Sequence, residues 1–559
     1  MKFNDMKYEK LEVEDIIEKI SSLNEKFNKA ETKDEVLAVY KEYDEYSKYV
    51  QSMYHIAYIR NTIDTTDQYY SEQKEYWNNT FPLIQEASQK FEESLLNSKF
   101  RKDLELEWGN IMFLNMELSQ KAFSPEIVPM LQEENKLTAE YQKLMASFQV
   151  EFDGKTLTMP QLFAYSQSPD KDIRKSAVEA ISSWMNDRKL ELDRIFDSLV
   201  KVRTEIAKEL GYESFTQVGY YRMNRNSYDE KMVKRFREGV VKHIVPLTIK
   251  LKEQHAERIG VEKITAYDTF FLYPQGNPKP KGTPEEILAH GKRIYEELSE
   301  ETKEFINFMI ENDLFDVLSK PGKAVGGYCA EIPIYNAPFI FANFNGTVSD
   351  VNVLTHEVGH AFADYTSKNI YPTALRRYSF DIAEIHSMAM EFLTWPWMEG
   401  FFGEETETYY EMHLASALEM IPYGTMVDEF QHHIYEKPDI TIDERNTLWL
   451  ELEAKYRPWL HNEGIPFYED GRLWQRQTHI YTSPFYYIDY CLSQIIALSF
   501  WALSQKSYSD AWEKYLRLTR LAGTRTFVDL IENADLPSPF VPDNLKLITD
   551  VAVEWLDKK

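Results

Sequence analysis

Apolar residues recur at three- and four-residue spacing through most of the first 240 positions, with lysine and glutamate between them. Stretches of this kind, such as 36–46 and 185–210, predict amphipathic helices that bury one face. The segment GNPKPKGT at 276–283 interrupts the pattern and predicts an exposed loop. Two further helices are expected at about 284–312. The first half of the chain is therefore predicted to be a series of packed helices.

The sequence changes character at about residue 320. Residues 320–347 are rich in glycine, proline, aromatic and β-branched residues, and they lack helical periodicity. This composition predicts a β-hairpin or a small sheet, with residues 335–342 as one strand. The rest of the chain returns to helical spacing, apart from a glycine-bounded loop at 464–471. The predicted fold class is therefore mainly α, with one small β element.

Capping signals place two helices after this β element. Ser349 and Asp350 can provide the N-cap of a helix at about 351–367. Ser379 or Asp381 can begin the helix that follows. The small sheet is thus expected to lie next to the helix at 351–367.

Composition restricts the class of protein. A chain of 559 residues with 43% hydrophobic content can bury a large core and is too long for one ordinary domain. The formal net charge of −28 repels polyanions, so no nucleic-acid partner is expected. Only Cys329 and Cys491 are present, which argues against a disulfide framework.

The absence of targeting signals in the sequence predicts a cytoplasmic protein. The N-terminal segment MKFNDMKYEKLEVEDI has scattered charges and no apolar region of a signal peptide. No apolar run reaches the roughly 20 residues of a membrane-spanning helix, so no membrane partner is expected. The sequence does not specify an oligomeric state.

The helix predicted at 351–367 contains the motif HEVGH. His356 and His360 are four residues apart and lie on one helix face, so both imidazoles can bind one metal ion. Glu357 can reach a metal-bound water without binding the metal. The alternative is a surface helix with incidental histidines, but the surrounding residues are largely apolar. Gly359 suits the close approach of another backbone, such as that of the preceding strand.

A catalytic zinc ion generally has three protein ligands and one open position. The metzincin pattern requires histidine at position 366, where this chain has Thr366. The next predicted helix offers Glu384 and Glu391 on one face, whereas His386 points about 200° away from Glu384. We predict that Glu384 is the third ligand of one Zn²⁺ ion per chain. Asp381 or Glu391 is expected to orient a ligand imidazole.

With these residues in view, the chain resembles the M3 family of metallopeptidases, in its oligoendopeptidase F group. The motif HEVGH is similar to that family's HExGH, and DIAE at 381–384 to the segment that supplies its glutamate ligand. GGY at 326–328 and NF at 343–344 are similar to its strand region. HIYTSPFYYIDY at 479–490 resembles its substrate loop, which contains histidine and tyrosine.

The resemblance covers about residues 200–550. We therefore divide the chain into an N-terminal helical region at 1–195 and a catalytic region at 196–559. The resemblance implies a two-lobed helical clamshell with a deep central channel, and the small sheet next to the HExxH helix. It also implies that the substrates are short peptides, because folded proteins cannot enter such a channel.

The expected reaction is hydrolysis of internal peptide bonds by a zinc-activated water. Glu357 would accept the proton of this water as general base and pass it to the leaving amine. His479 and Tyr490 are the candidate donors to the oxyanion. Tyr486 and Tyr487 are candidate substrate-binding residues. The strand before the motif helix, together with Gly327, can bind an extended peptide by β-augmentation.

Two other readings remain open at this stage. A zinc exopeptidase of the aminopeptidase or carboxypeptidase type can also use HExxH and a glutamate. A catalytically inactive peptide-binding scaffold could retain the metal helix, although every group that the reaction needs is intact here. Two imidazoles and one carboxylate favour zinc but do not exclude cobalt or manganese.

Overall fold

The computed structural model describes residues 1–558. Helices make up 71% of the chain and the sheets are small, so the predicted mainly α fold class is confirmed. Among the described residues, no helix combines the length and the apolar character that crossing a membrane requires. Both cysteines are free thiols.

The helices follow one another closely, and the expected helical stretches at 36–46, 185–210 and 284–312 coincide with helices to within one residue at their ends. The first twelve are α1 (Val13–Lys29), α2 (Lys33–Ile63), α3 (Gln68–Leu96), α4 (Arg101–Trp108), α5 (Ile111–Lys121), α6 (Val128–Ala146), α7 (Met159–Tyr165), α8 (Lys171–Glu209), α9 (Phe215–Arg222), α10 (Glu230–Gly239), α11 (Val245–Ile259) and α12 (Pro284–Leu298). The others are α13 (Glu300–Glu311), α14 (Val348–Ser367), α15 (Phe380–Leu393), α16 (Glu399–Phe402), α17 (Thr406–Glu436), α18 (Ile442–Tyr456), α19 (Pro466–Glu469), α20 (Thr478–Thr482), α21 (Tyr487–Ser504), α22 (Tyr508–Leu521), α23 (Phe527–Asn533) and α24 (Asn544–Leu556).

Two small sheets accompany the helices. Their strands are β1 (Val150–Phe152), β2 (Lys155–Leu157), β3 (Phe315–Leu318), β4 (Tyr328–Ile332) and β5 (Ala337–Phe344). Strands β1 and β2 form an antiparallel hairpin, which the sequence pattern did not reveal. The second sheet has the order β3-β5-β4, in which β5 is parallel to β3 and antiparallel to β4.

The predicted strand at 335–342 corresponds to β5, displaced by two residues because Pro333–Tyr335 forms a 3₁₀ turn. The prediction that this strand binds a peptide by β-augmentation is wrong. Strand β5 is the central strand, and both of its edges are already hydrogen-bonded to neighbours. The outer strands of this sheet are β3 and β4, so a peptide strand can be added only beside one of those.

The chain divides into two compact units, each assembled from separate segments. Unit 1 consists of Met1–Glu117, Lys279–Thr406 and Leu503–Leu536. Unit 2 consists of Leu118–Pro278, Glu407–Ala502 and Pro537–Lys559. The sequence division at 1–195 and 196–559 describes the extent of a family resemblance, and it stays a prediction.

Helix α14, which carries the HEVGH motif, belongs to unit 1 and packs against α15, β4 and β5. It begins one turn earlier than predicted, after Thr347 as the N-cap. Ser349 and Asp350 therefore lie inside the helix. The Asp350 carboxylate accepts the N–H groups of Asn345 and Gly346 in the preceding loop, at 2.7–3.1 Å. Helix α15 begins after Ser379, as one of the two alternatives predicted.

Candidate metal centre

Gly359 sets the distance between the two helices of the site. A Cβ atom at this position would lie 2.5 Å from the carbonyl oxygen of His386 and 2.6 Å from Cα of Ser387. The close backbone neighbour is therefore α15 and not the preceding strand that the sequence suggested. Because α15 approaches α14 so closely, the side chain of Glu384 reaches the face that carries the two histidines.

The three predicted metal ligands, His356, His360 and Glu384, converge in unit 1. Oε2 of Glu384 lies 3.3 Å from Nε2 of His356 and 3.7 Å from Nε2 of His360. One ligand atom from each residue lies within 4.8 Å of the other two. Tetrahedral bonds of 2.0–2.1 Å place neighbouring ligand atoms about 3.3 Å apart. Two imidazoles and one carboxylate at this spacing fit a zinc ion and leave a position for water.

Glu391 contacts the His356 imidazole at the nitrogen that does not face Glu384. Its Oε1 is 2.7 Å from Nδ1 of His356, so Nε2 of the ring is directed to Glu384. Asp381, the other candidate for this contact, accepts the N–H of Ile382 at 2.8 Å within its own helix. Glu391 therefore takes the orienting position beside His356 that the sequence assigned to either Asp381 or Glu391.

Two further contacts fix the remaining ligands. The Ser387 hydroxyl donates to Oε2 of Glu384 at 3.0 Å. His360 is hydrogen-bonded to the backbone of Ala383. Each of the three candidate ligands therefore has a partner that holds its side chain in place, as metal ligands in proteins usually do.

The surrounding groups shift the pKa values of the two imidazoles in opposite directions. Burial acts to lower the pKa of His356, but hydrogen bonds and charges from Glu384 and Glu391 raise that pKa well above its usual value. Burial, followed by the charge of His356, lowers the pKa of His360 to about 4. A metal ion binds the unprotonated Nε2 of each ring, so metal binding and protonation would compete at His356.

Glu357 is separate from the three ligands and is only 8% exposed. Burial raises its pKa to about 7. The charge of His356 acts to lower this pKa, and the nearby carboxylates of Glu384 and Glu391 act to raise it. A carboxyl group with this pKa can take up and release a proton near neutral pH. Gly327 lies beside it, since a Cβ there would be 3.7 Å from Oε1 of Glu357.

The other predicted residues cluster within unit 2. His479 lies in α20, and its ring centroid is 5.5, 4.9 and 6.1 Å from those of Tyr486, Tyr487 and Tyr490. The Tyr490 hydroxyl donates to the Tyr486 hydroxyl at 3.0 Å. Burial lowers the pKa of His479 and so favours the neutral form of its ring. The structure therefore brings these four side chains together as one group, which we call the His479 cluster.

Two buried arginines hold the backbone of this cluster, and the sequence analysis missed both. Arg203 donates to the carbonyl oxygens of Ile480 and Tyr481, at 3.3 and 2.5 Å. Arg225 donates to the carboxylate of Asp489 at 2.7 Å. Neither arginine stands in a recognisable motif, and both contact parts of the chain far away in sequence.

Arg225 also supports an unusual backbone conformation at Phe485. This residue has φ of +68°, in the left-handed region that is unfavourable for a bulky side chain. Its carbonyl oxygen accepts from Arg225, and its N–H donates to the Gln431 side chain at 3.0 Å. Gly219 leaves room for the ring, because a Cβ there would overlap it. The turn between α20 and α21 is therefore held from several sides.

Comparison with known proteins identifies the family of this chain. Residues 164–518 match Peptidase family M3, and residues 3–123 match the Peptidase M3 N-terminal domain. Oligopeptidase PepF of Bacillus subtilis (strain 168) is 22% identical over 394 residues, covering 69% of this chain and 57% of that protein. The chain thus aligns with just over half the length of that relative.

Two solved structures cover the whole chain. PZ peptidase A with an inhibitor is 44% identical, with a TM-score of 0.92 over 99% of that chain. An oligoendopeptidase F described as putative, from Bacillus anthracis str. Ames, is 42% identical, with a TM-score of 0.88 over 98% of that chain. Since the M3 match spans more than half of its residues, this chain belongs to the M3 family of metalloendopeptidases, in the oligoendopeptidase F group.

Proposed function

We propose that this protein is a zinc-dependent endopeptidase that hydrolyses internal bonds of short oligopeptides. The observation that carries the proposal is the convergence of His356, His360 and Glu384, with the buried Glu357 beside them. Membership of the M3 family supports a metallopeptidase that acts on oligopeptides. The donor set and its spacing support zinc as the metal.

His356, His360 and Glu384 would hold the ion, and Glu391 would keep the His356 ring in its orientation. The chemistry that zinc supplies when bound is Lewis-acid activation of a water molecule and of the scissile carbonyl. Glu357 takes the proton from the attacking water and then delivers it to the leaving amine nitrogen. Its raised pKa suits both transfers.

His479 and Tyr490 are the proposed donors to the oxyanion of the tetrahedral intermediate. Tyr486 and Tyr487 are proposed to contact the substrate, since both rings lie against His479. Gly327 precedes the outer strand β4 and lies beside Glu357. The absence of a side chain there would let a peptide backbone come close to the general base.

The test uses internally quenched peptides that are blocked at both ends. We expect cleavage inside the peptide, loss of activity with a chelator, and recovery with one equivalent of Zn²⁺ per chain. A series of increasing peptide length tests the restriction to short substrates. Cleavage only of peptides with a free terminus would identify an exopeptidase, and peptide binding without turnover by zinc-loaded protein would identify a scaffold.

A further inference from the structure

Gln477 lies between two side chains of unit 2 and bonds to both. The Tyr423 hydroxyl, on α17, donates to Oε1 of Gln477 at 2.7 Å. Nε2 of Gln477 donates to Nδ1 of His479 at 2.8 Å. Within the described part of the chain, this is the one hydrogen bond that the His479 imidazole makes. The amide of Gln477 therefore links a half-buried phenol to the imidazole of the His479 cluster.

The direction of these bonds determines which ring nitrogen carries the proton. A neutral imidazole has one N–H, and a nitrogen that accepts a hydrogen bond is the one without it. Since Nδ1 of His479 accepts from Gln477, the proton is on Nε2. The reverse arrangement would require the Tyr423 oxygen to accept from the amide. A phenolic oxygen is a weak acceptor because its lone pair is delocalised into the ring, so Tyr423 favours the first arrangement.

We propose that Gln477 is a positioning residue that holds His479 in the tautomer with the proton on Nε2, so that the ring presents a hydrogen-bond donor to the substrate. The inference rests on the proposed role of His479 as an oxyanion donor. It adds the requirement that a partner on Nδ1 must fix the tautomer of His479. A neutral histidine donates from one nitrogen only, and without a fixed partner on Nδ1 the two tautomers would compete.

The decisive variant is Gln477→Glu, studied in the zinc-loaded full chain. A carboxylate only accepts hydrogen bonds, so it selects the tautomer with the proton on Nδ1 and leaves Nε2 as an acceptor. The carboxylate also raises the pKa of His479, and below that raised pKa the doubly protonated ring again donates from Nε2. The donor is thus present at low pH and is lost as the pH rises through the raised pKa.

We expect the ratio of kcat/KM between Gln477→Glu and the wild type to depend on pH. The ratio should be close to one near pH 6 and should fall by roughly 10²- to 10³-fold at pH 8–9, since loss of one oxyanion donor costs about 10²–10³ in rate. A merely structural role of Gln477 would lower kcat/KM equally at every pH. A ratio that does not change with pH would overturn the inference. Gln505→Glu, the same change at an exposed position, is the matched control.

The variant His479→Gln separates this inference from the proposed function. If His479→Gln has wild-type kcat/KM, the role of His479 fails and the inference fails with it. If His479→Gln is impaired but the ratio for Gln477→Glu is flat with pH, only the inference fails. In the His479→Gln background, Gln477→Glu should cause no further pH-dependent loss, because the ring on which it acts is absent.

Two further measurements do not depend on the glutamate variant. Tyr423→Phe removes the hydroxyl that orients the amide, so we expect a smaller loss of kcat/KM than with His479→Gln. Selective ¹⁵N labelling of histidine gives the tautomer directly, with His479→Gln used to assign the signal. A proton on Nε2 in the wild type supports the inference, and a proton on Nδ1 overturns it even if every variant folds poorly.

Discussion

The metal centre of unit 1 and the His479 cluster of unit 2 are built in opposite ways. In the metal centre, two candidate ligands and the candidate base lie within one turn of α14, and the third ligand is on the next α-helix. In the His479 cluster, the supporting contacts come from Arg203 and Arg225, which are 277 and 264 residues away from the groups they bind. Local periodicity thus specifies the first region, and long-range packing holds the second.

The two regions also differ in charge. Around the two imidazoles of the candidate metal centre, Glu384 and Glu391 concentrate negative charge that a divalent cation can compensate. The His479 cluster presents neutral rings and hydroxyl groups, and its charges are paired behind it. A site proposed to bind a cation can therefore hold several carboxylates close together. A site proposed to donate hydrogen bonds keeps its ion pairs away from the donors.

The largest expected effect tests whether the metal centre depends on its few local residues. His356→Ala removes one of three ligands, and we expect metal affinity to fall by more than about 100-fold, since even the loss of an outer partner costs 10–100-fold. Metal content after dialysis measures this. His433→Ala, a part-exposed histidine on α17, should keep full metal content. Unchanged zinc in His356→Ala would remove His356 from the ligand set.

The next effect separates the base from the ligands. Glu357→Gln keeps the size of the side chain but cannot accept a proton, so kcat should fall by about 10²–10⁴. Metal content should stay at the wild-type value, because Glu357 is not among the three converging ligands. Steady-state kinetics and metal analysis of the same preparation give both numbers. A variant with near-normal kcat would show that another group accepts the proton.

The long-range support of the His479 cluster is tested by Arg225→Ala. The side chains of Arg225 and Asp489 are 0% and 1% exposed, and removal of one member of such a pair costs about 3–5 kcal/mol. Denaturant unfolding measures the loss. Arg225→Met combined with Asp489→Leu removes both charges and should recover part of it. A single variant as stable as the wild type would mean that the pair does not hold the cluster.

Asp428 is a buried carboxylate of unit 2 that pairs with Arg237 and His432, and we expect it to make the stability of the protein depend on pH. Burial acts to raise the pKa of Asp428, but His432 and Arg237 outweigh it and lower the pKa to about 2. Because the folded pKa lies below the unfolded value of about 3.9, this stabilisation is present above pH 4 and is lost as the pH falls towards 2. It amounts to about 2–3 kcal/mol.

Unfolding free energies measured between pH 5 and pH 2 test this dependence. Asp428→Asn has no carboxyl group to titrate, so its stability should decline less over this range than that of the wild type. Equal slopes for the two proteins would show that Asp428 does not contribute to acid sensitivity.

The smallest expected effect concerns the contact between α14 and α15. Gly359→Ala would push these helices apart, because the added methyl group meets the backbone of α15. We expect a net loss of roughly 1–2 kcal/mol after the gain in helix propensity, together with weaker metal binding. In Gly291→Ala the methyl group meets only the side chain of Leu354, which can move. If both variants bind metal equally well, the spacing of these helices does not control the site.

These two regions show why sequence prediction succeeded unevenly. The mainly α fold followed from helical periodicity, and the geometry of His356, His360 and Glu384 agrees with their predicted convergence. The choice between Asp381 and Glu391 stayed open, because both carboxylates lie on the same helix and their side-chain directions depend on the neighbouring helix. Gly359 indicated a close backbone neighbour, but α15 could be identified only in the folded chain.

The peptide-binding strand was the clearest error. Its amino acids predict a strand correctly, yet the order β3-β5-β4 makes it central and occupies both of its edges. Strand order results from how distant segments pair, and strand propensity alone contains no information about it. The proposed role of Gln477 could likewise not be predicted from the sequence, because it depends on contacts with Tyr423 and His479 that form only in the folded chain.

The amino-acid sequence alone determined the fold class and the positions of the candidate metal ligands and base, because each depends on spacings of a few residues along a helix. The tertiary structure alone decided which carboxylate supports His356, which helix meets Gly359, and which buried arginines hold the His479 cluster. Those features depend on side chains that come together from hundreds of residues apart, where no local periodicity relates one to the other.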